Sequence, residues 1–227
     1  MTAVTLPRNT RIGLCFHGIG RRLRTLESDE SGYWVSEDQF LRILDEAAEW
    51  PQVDISFDDG NASDVAIALP ALQQRGLVAV FYALAGRLDQ PGSLSTAELR
   101  EIVAADMEVG THGWHHVPWS DLDDDAARLE LVEARQRLAD AAGRPVARAA
   151  LPLGRYNRRA LGRLRDADYQ SVSTSDRGLA RSGDWLRPRF SVHADDTPES
   201  IRQTVTAASR PWARAVRSAK GAVKRLR

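Results

Sequence analysis

Val53-Asp54-Ile55-Ser56-Phe57-Asp58-Asp59-Gly60 is the stretch on which the reading of this chain turns. Residues 53–57 form a short run rich in β-formers and read as a strand. Two carboxylates and a glycine follow directly. Asp-Gly is a common turn pair, but adjacent carboxylates repel each other, so a cation beside them would stabilise the arrangement. Further along stands His112-Gly113-Trp114-His115-His116, which holds three of the chain's five histidines within five residues. If this segment is helical or tightly turned, His112 and His116 share one side, and His115 falls one residue off that face. One carboxylate and two imidazoles make a three-ligand site with an open position, as in catalytic zinc centres. The second carboxylate is left beside it as a general base.

The same alternation of strand-like and helical segments runs outward from this point. Residues 12–16, 53–57, 78–84, 107–111, 147–151, 169–173 and 189–192 read as strands. Between them, Ser36-Glu37-Asp38-Gln39 and Ser95-Thr96-Ala97-Glu98 have the capping-box pattern. Ser63 and Asn157 are expected to cap two more helices. Residues 123–142 predict a long helix closed by Gly143, and Thr197-Pro198-Glu199 opens the last helix of the domain. About seven strands alternating with helices predict an α/β fold, better suited to a barrel than to an open sheet. In such barrels the chemistry gathers at the C-terminal strand ends, where the Asp58-Asp59 pair and the histidines fall.

Composition narrows the function classes. The chain has 227 residues, 43% hydrophobic and 27% charged, enough for one domain with a real core. Residues 200–227 carry eight Lys or Arg and no acid, which leaves residues 1–199 with 23 bases against 31 acids. A body of net charge −8 does not read as a nucleic-acid binder. The lone cysteine, Cys15, excludes an intrachain disulfide and reads as a buried thiol. The first residues lack the apolar core of a signal peptide, and no run is long enough to span a bilayer. The expected location is therefore cytoplasmic. Residues 1–209 form the expected domain. Residues 210–227 form a basic tail, either an amphipathic helix contacting an anionic membrane at its inner face or a disordered segment.

Three segments together resemble the polysaccharide deacetylases, the family with the NodB homology domain. They are Ile55-Ser56-Phe57-Asp58-Asp59-Gly60, then Glu108-Val109-Gly110-Thr111-His112-Gly113-Trp114-His115-His116, then Ala150-Leu151-Pro152-Leu153-Gly154-Arg155-Tyr156-Asn157. The resemblance implies a distorted (β/α) barrel and a metal-dependent hydrolase that removes an N-acyl group, chiefly N-acetyl, from an amino sugar or glycan precursor. It implies Asp58 as the base and Asp59, His112 and His116 as ligands of one divalent metal, zinc first, with nickel, cobalt or iron as alternatives. The Leu153 N–H would face the oxyanion, with Pro152 fixing the backbone beside it. Tyr156 and Trp114 would contact the sugar, and Asp184-Trp185 resembles a pair that lines the family's pocket.

Two features depart from the family pattern. The third segment lacks the arginine that orients the base, and Arg189 is the expected substitute. The proton donor is either His193, after Val192, or His17, in Phe16-His17. The latter resembles the permuted poly-N-acetylglucosamine deacetylase branch and is the preferred choice. A deformylase or other amidase acting on a lipid-linked or small amide shares this chemistry. A catalytically silent carbohydrate-binding relative is the competing reading from another class.

Overall fold

The computed structural model describes residues 6–28 and 30–210. The tail expected at 210–227 lies, beyond Arg210, outside the described residues. Among the described residues, no helix is long and apolar enough to cross a membrane.

Among the described residues nine strands form one sheet: β1 Thr10–Phe16, β2 Val53–Phe57, β3 Ala79–Ala83, β4 Glu108–Thr111, β5 Arg148–Ala150, β6 Ser171–Thr174, β7 Leu179–Arg181, β8 Leu186–Pro188 and β9 Phe190–Ser191. The expectation of about seven strands missed β7 and β8, and the strand expected at 189–192 is only two residues long. Strands β1 to β6 run parallel in sequence order, and β8 continues the sheet parallel to β6. One residue later the chain enters β9, which pairs parallel with β1. The Arg189 N–H donates to the Thr174 carbonyl, and the Val192 N–H donates to the Cys15 carbonyl. Residues 186–192 thus span the gap between the last and first parallel strands, and the sheet becomes a nearly closed (β/α) barrel.

Among the described residues there are seven α-helices: α1 Glu37–Ala48, α2 Leu69–Gln74, α3 Thr96–Ala104, α4 Asp124–Arg128, α5 Ala134–Ala142, α6 Arg158–Asp166 and α7 Pro198–Ser209. The caps read from sequence at Ser36, Ser95, Asn157 and Thr197 all accept a first-turn N–H. Ser63 does not cap. Its backbone is already helical, and its hydroxyl instead accepts the Ile19 N–H at 3.2 Å. The long helix expected at 123–142 is α4 and α5 joined by a π turn at Leu129–Glu133.

Strand pleating decides which side chains reach the barrel interior. Phe16, Phe57 and Phe81 align across β1, β2 and β3 and stack at 5.6 and 4.7 Å in the apolar layer under the helices. The alternate positions therefore face inward. These are Cys15 and His17 from β1 and its exit, Ser56 and Asp58 from β2, Tyr82 from β3 and His112 from β4. Tyr82 and Ser173 are hydrogen-bonded inside the barrel at 3.0 Å. A Cβ on Gly13 would stand 2.8 Å from the Arg189 Cγ, so glycine there leaves room for the arginine stem.

Candidate active site

A cavity of about 320 Å³ opens at the C-terminal ends of the parallel strands. Its wall includes His17, Asp58, Asp59, His112, His116, Leu153 and Arg189, together with Glu27 and Tyr33 from the loop after β1. Asp59, His116 and Leu153 take left-handed backbone conformations (φ 76°, 60° and 56°). Strain of this kind concentrates where side chains must be aimed at a function.

Asp58 is 4% exposed. Arg189 grips it bidentately, Nη1 to Oδ1 and Nη2 to Oδ2, both at 2.7 Å, and Nη1 also donates to the Ser56 hydroxyl. Burial pushes the Asp58 carboxyl up, but the Arg189 guanidinium outweighs it and holds the group well below the usual carboxylate range. Asp58 is thus an ionised carboxylate held in one orientation.

The three candidate ligands converge. Asp59 Oδ1 lies 3.6 Å from His112 Nε2 and 3.5 Å from His116 Nε2, and among the described residues it is buried without a hydrogen-bond partner. His112 Nδ1 sits 3.0 Å from the Ala150 carbonyl, which can only accept, so Nδ1 carries the proton. Burial lowers the His112 pKa to about 4, so at neutral pH its Nε2 bears a lone pair. His116 Nδ1 lies 2.7 Å from the Glu27 carboxylate, which fixes that ring in the same sense. The two ring Nε2 atoms thus face one Asp59 oxygen at distances too long for hydrogen bonds. Donors about 2.1 Å from a tetrahedral cation stand roughly 3.4 Å apart, close to these separations. Two imidazole nitrogens and one carboxylate oxygen suit zinc or another first-row divalent ion.

Cys15, His17 and Asp58 also lie close enough together to be considered as a ligand set. They suit a cation poorly. Both Asp58 oxygens are taken by a guanidinium, and burial raises the Cys15 thiol well above its usual range, which keeps it protonated.

The two acid candidates are separated by Tyr33. The His17 ring stacks on it at 4.8 Å and lines the cavity, whereas His193 packs on Tyr33 at 4.4 Å and is not part of the cavity wall.

Four expected sugar contacts are corrected by the structure. Trp114 sits between two inward-facing histidines in a tight turn and so points outward, packing beside Gly86 with Arg137 over its ring. Tyr156 is buried and donates to Asp176 at 2.6 Å. Asp184 closes the turn before β8 by accepting the Arg181 N–H, and Trp185 donates to the Tyr169 carbonyl. Both precede β8 and so lie at the barrel end opposite the cavity.

Sequence reasoning missed Glu27 and Tyr33. Glu27 belongs to a network in which Arg24 bonds Glu30 at 2.6 and 2.8 Å, and Arg87 bonds both Glu27 and Glu30. Although burial pushes Glu30 up, Arg24 holds its pKa near 2. The segment has no periodicity, so nothing in the sequence marks it.

Acid should act on this site first. His112 has a folded pKa below its unfolded value of about 6.5, so the unfolded chain takes up a proton earlier. Stability of the metal-free protein should therefore fall as pH drops from about 6.5 towards 4. Below about 4, Asp58 adds a second loss as the unfolded carboxyl protonates first. Chemical denaturation across this range, with His112→Asn as the comparison, measures the upper window.

The sequence model of the polysaccharide deacetylase family matches residues 46–172, a stretch that contains Asp58, Asp59, His112, His116 and Leu153. A search of curated proteins finds no match. Among solved structures, a Streptococcus pyogenes deacetylase, PplD, crystallised with acetate, superposes with a TM-score of 0.74 at 19% identity, covering 86% of this chain and 98% of that one. The putative polysaccharide deacetylase BA0330 of Bacillus anthracis gives 0.75 at 20% identity, covering 86% of this chain and 69% of that one. IcaB from Ammonifex degensii gives 0.68 at 22% identity, covering 89% and 98%. At these identities the structures establish a shared fold. Together with the match over more than half of its length, the chain belongs to the polysaccharide deacetylase family.

Proposed function

We propose that this protein is a metal-dependent hydrolase that removes an N-acyl group, chiefly acetyl, from an amino sugar or glycan precursor. The observation that carries this reading is an ionised carboxylate, Asp58, clamped by Arg189 beside the converging donors of Asp59, His112 and His116. A base and an electrophilic centre side by side are what hydrolysis of an unreactive amide demands.

Asp58 accepts the proton of the attacking water, and Arg189 keeps both carboxylate oxygens in register during the transfer. The same guanidinium weakens Asp58 as a base, so the water must be made acidic. Asp59, His112 and His116 would hold a divalent cation, which when bound would supply that acidity and polarise the acyl carbonyl. Leu153 is proposed to turn its backbone N–H to the developing oxyanion. His17 then gives a proton to the departing amine nitrogen as the carbon–nitrogen bond breaks, leaving a carboxylic acid and a free amine. His17→Ala should reduce kcat on amide substrates by about 10²-fold, and His193→Ala should leave it within about twofold. The reverse ranking would move the acid role to His193.

The deciding experiment is acyl release from N-acetyl and N-formyl amino sugars by the zinc-loaded full chain. Acetate release dependent on added metal supports the reading, and formate alone would redirect it to deformylation. Saturable sugar binding without any release would leave a silent relative.

A further inference from the structure

Glu130 is 1% exposed, yet among the described residues no Lys or Arg pairs with it. Its carboxylate is spent on one turn of chain instead. Oε2 accepts the Trp114 N–H at 2.7 Å, and Oε1 accepts the His115 N–H at 3.0 Å, with the His115 ring nitrogen at 3.2 Å. That turn is the link between His112 and His116, the two imidazoles that face Asp59.

Local structure is arranged for this approach. Glu130 lies in the π turn between α4 and α5, where an extra residue lets both Glu130 and Leu131 face inward. Gly113 adopts φ +91°, and a Cβ there would stand 2.3 Å from Glu130 Oε2. Glycine is therefore needed both for its backbone angle and for the space the carboxylate occupies. His116 sits at φ 60°, a conformation that surrounding bonds must hold.

We infer that Glu130 is a positioning residue for the cation site. It locks the 113–115 turn so that both Nε2 atoms keep their spacing to Asp59 before any ion arrives. This rests on the cation reading of that cluster, and it goes further by placing part of the affinity on a helix residue that touches no ligand atom. A carboxylate suits the task because it offers two acceptors and no donor. Glutamine in its place leaves one of the two amide N–H groups facing an NH₂.

The test uses the full chain, wild type and Glu130→Gln, with zinc titrated against a chromogenic chelator and cobalt(II) absorption recorded in parallel. Circular dichroism of the metal-free proteins shows whether both are folded. The expected result is a folded variant whose zinc dissociation constant rises by about 10- to 100-fold, with an altered cobalt spectrum. Equal affinity and an identical spectrum would overturn the inference and leave the cation site standing. If the wild type itself binds no zinc, the site reading falls and takes the inference with it. Hydrogen exchange in the metal-free wild type tests the lock without any variant. The Trp114 and His115 amides should exchange as slowly as those of α5, and fast exchange there would refute the lock.

Discussion

Asp58→Asn is expected to lower kcat by about 10³-fold while zinc remains bound. The substitution keeps shape and burial but removes the charge and the proton-accepting role. Asp58 holds no place among the three converging donors, so affinity for the ion should survive. The amide NH₂ will oppose one arm of Arg189, which should cost about 1–3 kcal/mol of stability. Turnover within tenfold of wild type would remove Asp58 from the base role, and loss of zinc would make it a ligand instead. Both follow from one preparation, by steady-state kinetics and metal analysis.

Arg189→Met should produce the largest structural penalty of any single change near the cavity. It strips the only cation paired with Asp58 among the described residues and opens the bond to Ser56. Breaking a buried pair by removing one partner costs about 3–5 kcal/mol. For a chain of this size that corresponds to a melting temperature lower by on the order of 10 °C. Asp58 can limit the loss by taking up a proton, because burial then acts on it unopposed. The acid limb of the pH–rate profile should accordingly move to higher pH. Combining Arg189→Met with Asp58→Asn removes the orphaned charge, so the double variant should be more stable than Arg189→Met alone. An unshifted acid limb together with an unchanged melting temperature would show that Arg189 neither supports nor tunes Asp58.

Much of this arrangement was legible in the chain. β2 and β4 stood out because each ends in residues whose chemistry is out of place in an apolar run, Asp58-Asp59 and His112. Helix starts were readable where a side chain alone determines the cap, as at Ser95 and Asn157. Ser63 misled because its hydroxyl had a tertiary partner in Ile19, which no local pattern encodes. β7 and β8 escaped because Leu-Ala-Arg and Leu-Arg-Pro are too short to show alternation, and their pairing with β1 and β6 is set by barrel closure. Arg189 was legible only through the arginine that the third segment lacks, which left a place beside Asp58 for a guanidinium from elsewhere. Asp184-Trp185 had the right composition and the wrong end of the barrel, since position along β8 rather than residue type decides what reaches the cavity. Trp114 failed for a related reason: a turn that aims 112 and 116 inward sends 114 outward. Glu27 and Glu130 act through bonds across 89 and 15 residues of sequence and carried no signature.

X-ray absorption at the zinc edge of the zinc-loaded full chain reads out directly whether Asp59, His112 and His116 hold the ion. One zinc is expected, bound by two imidazole nitrogens at roughly 2.0–2.1 Å, with the remaining donors oxygen and no sulfur. In Asp59→Ala, His112→Ala and His116→Ala that zinc should be lost. A shell with sulfur would put the ion at Cys15, and a shell without imidazole scattering would mean that Asp59, His112 and His116 hold no metal at all.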